Sequence, residues 1–130
     1  MPTDLLGDKL ASAKRVNSKP EASALIEVLM ALRAHPAVAW VERQNSGATR
    51  MGNRFVKFGW PGCSDVLGQL HDGRFLAVEV KAATGRLSAE QIEFLVRVNQ
   101  SGGLGFVARN CADVFRKLNL FSSDAASRHL

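Results

Sequence analysis

The stretch DVLGQLHDGRFLAVEVK, residues 65–81, decides the fold. At its middle, His71-Asp72-Gly73 carries an Asp-Gly pair, which suits a tight hairpin because glycine accepts the positive φ such turns need. Asp65 to Leu70 reads as a short strand, and Arg74 to Lys81 as the strongest strand of the chain. A hairpin makes them antiparallel neighbours, so the start of one lies beside the end of the other. Strand side chains alternate between faces. Glu79 and Lys81 therefore share a face, Val78 and Val80 take the opposite, core-facing side, and Asp65 approaches Glu79. Two close carboxylates repel and are costly to desolvate unless a cation sits between them. Magnesium suits such a place: it is hard, prefers oxygen, and commonly takes one or two carboxylates with phosphate and water. Lys81 is then placed to hold a phosphate or to polarise or deprotonate water. The plainer reading is a solvated hairpin face with a Glu79–Lys81 ion pair, because Asp plus Glu-x-Lys is a weak motif alone.

Downstream, Thr84-Gly85 closes the strand. Ser88 to Gln100 follows as a helix with Ser88 as N-cap, Gln91 completing a capping box and Leu87–Ile92 as a hydrophobic staple. Ile92, Leu95 and Val96 are expected inward. Gly102-Gly103 ends this helix. Leu104 to Arg109 is a last strand, Ala112 to Leu118 a short final helix, and residues 122–130 a frayed tail. Upstream, Pro20 to His35 is a helix with Leu25, Val28, Leu29 and Leu32 at helical spacing, stopped by Pro36. Glu21 lies one turn before Leu25, at the rim of that apolar stripe, whereas Glu27 points away and reads as a solvent acid. Val38 to Arg43 is a strand, Gln44 to Asn53 a loop, Arg54 to Phe58 a second strand, and Gly59 to Ser64 a turn on Pro61-Gly62. The fold class is α/β, a mixed central sheet flanked by helices in the order αβββαβ. Residues 1–19, with Lys9, Lys14, Arg15 and Lys19, form a flexible basic arm. Residues 20–120 form the globular domain, and 121–130 the tail.

The 130 residues make one domain by size. The net charge of +5, from 17 Lys and Arg against 12 Asp and Glu, favours a polyanionic partner such as nucleic acid. Between Arg43 and Ser64 the cations Arg43, Arg50, Arg54 and Lys57 occur with no acid. This stretch runs directly into Asp65 and reads as a phosphate track, which Arg86 extends; the bland alternative is a solvated loop. Phe55, Phe58 and Trp60 suit base stacking, or, for Phe55 and Trp60, core or dimer contacts. Cys63 and Cys111 form no Cys-x-x-Cys pair, the pattern of a reducing compartment. His35, His71 and His129 are too scattered for a zinc motif. No apolar run is long enough to span a membrane and no signal core opens the chain, so a cytoplasmic location is the default.

An ordered set of residues adds to this reading: Pro61-Gly62-Cys63-Ser64-Asp65, Glu79-Val80-Lys81, Gly85-Arg86-Leu87-Ser88 with Gln91, and Gly102-Gly103, preceded by the helix beginning at Glu21. Together they resemble the VRR-NUC family of the PD-(D/E)XK nuclease superfamily over roughly residues 20–118. The resemblance implies a restriction-endonuclease-like core and a deoxyribonuclease dependent on Mg2+ or Mn2+. Asp65, Glu79 and the Val80 carbonyl would hold the metal, and Lys81 would be the catalytic lysine. Glu21 matches the acid of the family's first helix, and Gln91 a polar residue of the helix after the Glu-x-Lys strand. Cys63-Ser64 stands before Asp65 where a proline is commoner, a departure that removes no ligand. The chain looks like the stand-alone form of phages and bacteria, for which branched or flapped DNA, Holliday junctions among them, is the implied substrate. Cutting a junction symmetrically needs two sites, hence a two-fold homodimer. An exonuclease or nickase of the same superfamily, or a non-catalytic DNA-binding module of this fold, is the alternative.

Overall fold

The computed structural model describes residues 21–45 and 47–129, so the arm expected over 1–19 lies outside the described residues. Helix α1 (residues 21–34) buries Ala24, Val28, Ala31 and Leu32, a stripe at the 3.6-residue period. His35 ends it and is buried. Its Nδ1 accepts from Ala37 N at 3.1 Å, so Nε2 carries the proton toward Asn119 Oδ1 at 3.0 Å. After α1 come β1 (Val38–Arg43), β2 (Gly47–Met51), β3 (Arg54–Phe58), β4 (Val66–Leu70), β5 (Phe75–Val80), α2 (Ala89–Gln100), β6 (Leu104–Ala108) and α3 (Cys111–His129).

Four strands form the main sheet in the order β1-β4-β5-β6. The first two pairings are antiparallel, and β5 runs parallel to β6 because α2 carries the chain across between them. With the separate β2–β3 ribbon set aside, this is the expected αβββαβ order, closed by α3. Alternation divides the sheet into two faces. Val66 and Leu70 of β4, with Leu76, Val78 and Val80 of β5, pack with Phe106 and Ala108 against α1 and α3. Leu67, Ala77 and Val107 face the other way, toward Phe94, Leu95 and Val98 of α2. Glu79 follows the parity of Ala77 and so lies on the α2 face.

β1 breaks strict alternation: Val38 and Val41 are its buried residues. Val38 pairs with Leu70 and Trp40 with Gln69, which leaves Ala39 as a bulge residue. Gly68 sits against this bulge, where a Cβ would stand only 2.2 Å from the Trp40 carbonyl oxygen, so no larger residue fits.

Several expectations are corrected. Residues 44–53 are not all loop: Gly47–Met51 pairs with Arg54–Phe58 through a two-residue turn, and Gly52 takes the positive φ of 64° that a primed hairpin turn needs. The final helix is longer than the expected Ala112 to Leu118, since α3 runs from Cys111 through His129. Ser122 to Ser127 contains neither Gly nor Pro, and its alanines favour helix, so nothing there stops it. On α2, Leu95 is buried as expected, but Ile92 and Val96 are exposed and Phe94 and Val98 take the inward positions. Glu27 is more than a solvent acid: its Oε2 accepts from Cys111 N at 2.6 Å and so satisfies a free donor at the start of α3.

Candidate active site

The hairpin joining β4 and β5 pairs Val66 with Val78, and one step further the register sets Asp65 opposite Glu79. Asp65 is fixed there through its side chain, Oδ2 accepting from Val80 N at 2.8 Å, and through its carbonyl, which accepts from Gln44 N at 2.7 Å. Glu79 is only 1% exposed. Its Oε2 accepts from Gln91 Nε2 at 2.8 Å and lies 3.6 Å from Lys81 Nζ, while Oε1 is buried without a hydrogen-bond partner. Burial, then the neighbouring Asp65 charge, pushes the Glu79 carboxyl up to about 8 against the smaller opposing pull of Lys81. Burial also raises the Cys63 thiol, and the charges of Glu79 and Asp65 raise it further, which places that half-buried cysteine beside the pair.

Gln91 reaches this site because of how α2 begins. Ser88 Oγ accepts from Gln91 N at 3.1 Å, and Gln91 Oε1 accepts from Ser88 N at 2.9 Å, the reciprocal capping box expected from the sequence. The amide's Nε2 is left to donate to Glu79. Upstream, Trp60-Pro61-Gly62-Cys63 forms a turn with Cys63 N donating to the Trp60 carbonyl at 3.0 Å. Proline at the second position and a φ of 79° at Gly62 suit a type II turn. A Cβ on Gly62 would be 2.7 Å from the Glu90 carbonyl oxygen, so this turn packs tightly on the first turn of α2.

A buried carboxylate with one orphaned oxygen, set against a second carboxylate, fits a hard divalent cation. Among the described residues no group of three or more His, Cys, Asp or Glu side chains is arranged to hold a metal ion, and the acidic pair at this end of the sheet is Asp65 with Glu79.

The VRR-NUC domain model matches residues 14–111 of the 130. The chain belongs to the VRR-NUC family. No curated protein and no solved structure is similar enough to be matched. Membership of the VRR-NUC family gives the chain a nuclease-type role in DNA processing, in a family that generally uses a divalent metal, and the mixed sheet flanked by helices accords with the VRR-NUC fold. Among the described residues no helix is long and apolar enough to cross a membrane.

The VRR-NUC residues singled out from the sequence are distributed unevenly. Asp65, Glu79, Lys81 and Gln91 come together at one end of the sheet on the α2 face. Glu21 is exposed at the start of the helix that covers the opposite face and makes no hydrogen bond or ion pair with the cluster. Arg43 is exposed at the end of β1 and Arg86 is exposed in the segment before α2. Arg50 and Arg54 are exposed on the β2–β3 ribbon, with the Arg50 guanidinium 5.2 Å from the centre of the Phe55 ring. Lys57 pairs with Ala48 in register, and its side chain lies outside the described residues.

Sequence reasoning missed Arg109. One step beyond the Val80–Ala108 pairing, it stands beside Lys81 on the neighbouring strand. Its Nη1 donates to the carbonyls of Ala82, of Ala83 at 3.3 Å and of Gly85 at 2.9 Å. Arg109 thus ties down the segment leading from Lys81 to the α2 cap. The available signal was a cation at the end of a strand parallel to the Glu-x-Lys strand, at the carboxyl edge where α/β sheets place ligands.

Proposed function

We propose that the chain is a divalent-metal-dependent DNA endonuclease whose active site is Asp65, Glu79, Lys81 and Gln91. The observation that carries this reading is Glu79: a carboxylate 1% exposed, with Oε1 unpartnered, facing a second carboxylate. Such a buried carboxylate pair costs stability unless a cation balances it.

Each carboxylate is anchored through one oxygen, Asp65 by Val80 N and Glu79 by Gln91 Nε2. The other oxygens, with the Val80 carbonyl, are the donors we assign to the cation, Mg2+ or Mn2+. Bound there, such a cation supplies charge neutralisation for a phosphodiester and acidifies water. Lys81 supplies a positive charge at Nζ beside the same carboxylate, to hold a phosphate oxygen or to move a proton between its ammonium and water. Gln91 orients Glu79 without adding charge. Arg43, Arg50, Arg54, Lys57 and Arg86 are assigned to the DNA backbone, outside the chemistry. Glu21 is assigned a site role only as the family pattern implies it, since its exposed position gives no contact to build on.

We further assign branched DNA, four-way junctions included, as the substrate and a two-fold homodimer as the active form. Phe55, 71% exposed on the ribbon, offers apolar surface for pairing. The test is a panel of labelled duplex, nicked, flapped and four-way DNAs with Mg2+, Mn2+ or chelator. Metal-dependent cleavage favouring branched forms is expected. Absence of cleavage of every substrate in either metal overturns the enzyme reading. A sharp 14.1 kDa monomer in sedimentation, still active, removes the dimer.

A further inference from the structure

Beside the turn that delivers Asp65 there is an open groove of about 280 Å³, bounded by Trp60, Phe75, Phe94, Arg97 and Ser101. Trp60 is 52% exposed and Phe75 43% exposed, whereas Phe94 beneath them is buried. The Trp60 and Phe94 rings meet edge to face with centroids 5.0 Å apart, so the indole is supported on one side and open on the other. Its backbone is held as well: the Trp60–Cys63 turn is closed by its own hydrogen bond, and Gly62 is pressed against Glu90 of α2. The ring is therefore a pre-positioned aromatic surface, not a side chain awaiting a core.

The charges around it select among occupants. Trp60 also borders a smaller hollow of about 90 Å³, lined by Glu90 and Glu93 with Arg97, where two carboxylates face one guanidinium. The larger groove has no acid among its lining residues and has Arg97 on its wall. Arg97 reaches Glu93 only at 3.9 Å, with both side chains largely exposed, so this ion pair holds it weakly. An aromatic platform with a guanidinium at its edge is the chemistry that receives a nucleobase and its phosphate. Trp60 is joined to Asp65 by the Pro61–Ser64 turn, and the groove runs from Trp60 toward Phe75 and Gly103, at the end of β5 opposite Glu79, so an occupant lies on the order of 13 Å along the strand from Glu79, a few nucleotides from the phosphate there. A paired base has both faces stacked in its duplex and cannot use such a platform.

We infer that the Trp60 groove binds an unpaired nucleobase of the DNA substrate a few nucleotides from the cleavage site. This rests on the DNA-cleaving reading above and deepens it: the groove would prefer DNA with unstacked nucleotides a short way from the cut.

The experiment measures binding in chelator, where no DNA is cut. The probes are a duplex containing a single unpaired 2-aminopurine and the same duplex fully paired. The proteins are wild type, Trp60→Ala and Trp60→Phe, each checked for a native circular dichroism spectrum. Stacking on Trp60 quenches 2-aminopurine in the wild type. Trp60→Ala is expected to lose the quenching and to bind the unpaired probe roughly 5- to 100-fold more weakly, with paired duplex little affected. Trp60→Phe keeps most of both signals. Equal weakening on both probes, or no weakening on either, overturns the proposal while leaving the nuclease reading intact if the variants still cut. A change in sedimentation without a change in unpaired-probe affinity makes the groove a contact for a second copy and also overturns it. If the wild type binds neither probe and cuts no DNA, the nuclease reading falls with it.

Discussion

Replacing Glu79 with glutamine should make the metal-free protein more stable at alkaline pH while removing its activity. Glutamine has the volume of glutamate, so the buried site is not repacked. The Gln91 Nε2 donor, now 2.8 Å from Glu79 Oε2, keeps an acceptor in the amide oxygen. The amide nitrogen replaces the orphaned Oε1 and turns a repulsion toward Asp65 into a donated hydrogen bond. Relief of an unsatisfied buried polar group is worth about 1–3 kcal/mol. Loss of the buried ion pair to Lys81, 3.6 Å away, offsets part of that gain. The net gain is expected above the folded-state pKa of about 8, where the wild-type carboxyl is ionised, and shrinks toward the ordinary carboxylate range, where the protonated acid itself donates toward Asp65. The pH dependence has a definite sign. The folded-state pKa of about 8 lies above the ordinary carboxylate range, so the native state binds the Glu79 proton more tightly than the unfolded state. Wild-type stability in chelator therefore falls as pH rises from the ordinary carboxylate range toward about 8 and levels off above it, and the glutamine variant lacks this decline.

The assay is thermal denaturation at several pH values, in chelator and in saturating Mg2+ or Mn2+, with cleavage measured in parallel. Metal at a hundred times its Kd stabilises the wild type by about 2.7 kcal/mol and should stabilise the variant far less, so the order of stability reverses between the two conditions. Cleavage should fall roughly 100-fold or more. A variant less stable than wild type in chelator above the folded-state pKa would show that Glu79 is a structural carboxylate satisfied by its surroundings, and the metal-site reasoning would fail with it.

Lys81→Ala should lose cleavage yet bind metal with wild-type affinity by calorimetry, since an ammonium is not a ligand; full activity would reject its role. Gln91→Glu keeps a capping-box acceptor for Ser88 N but removes the donor to Glu79 and adds a third carboxylate, so the α2 start should hold while turnover drops about tenfold or more; unchanged turnover would reduce Gln91 to a cap. Arg109→Met should cost about 1–3 kcal/mol in urea melts and speed proteolysis between Lys81 and Ser88, and equal proteolysis rates would show that the segment holds itself. Arg50→Ala combined with Arg54→Ala should reduce the slope of log affinity against log salt by about one unit per lost phosphate contact; an unchanged slope would place the DNA elsewhere.

The centre of the site was legible because strand physics is local. An Asp-Gly turn and a period of two suffice to bring Asp65, Glu79 and Lys81 to one edge, and Ser88 with Gln91 announces the helix start three residues apart. What the sequence concealed depends on distant partners. Ile92 and Val96 are as apolar as Phe94 and Val98, so periodicity alone offers two stripes on α2. The choice is made by Gln91 bonding Glu79 and by Gly62 packing on Glu90, which turn positions 91, 94, 95 and 98 inward. Glu27 looked like a solvent acid because its partner, Cys111 N, is 84 residues away. Glu21 continues the apolar stripe of α1, which packs on the face of the sheet opposite α2.

That separation of faces explains how a stable sheet tolerates so costly a pair. Along β5 the side chains of Leu76, Val78 and Val80 all go to the larger core, none more than 1% exposed. The strand is thus secured through one face, and the other face can give up a residue to chemistry. Glu79 occupies the last position on that face still covered by α2, which is why it is buried, and Lys81 occupies the next, where the strand has ended and its side chain retains some access to solvent. Gln91 joins the two regimes. Its Oε1 and backbone N–H close the helix cap, while its Nε2 reaches the carboxylate, so the interactions that begin α2 also orient Glu79. The proposed site needs no long loop to position its acid: the helix that covers the sheet sets the geometry as it folds, and on this reading the Glu79 oxygen left without a partner is where a cation would be held.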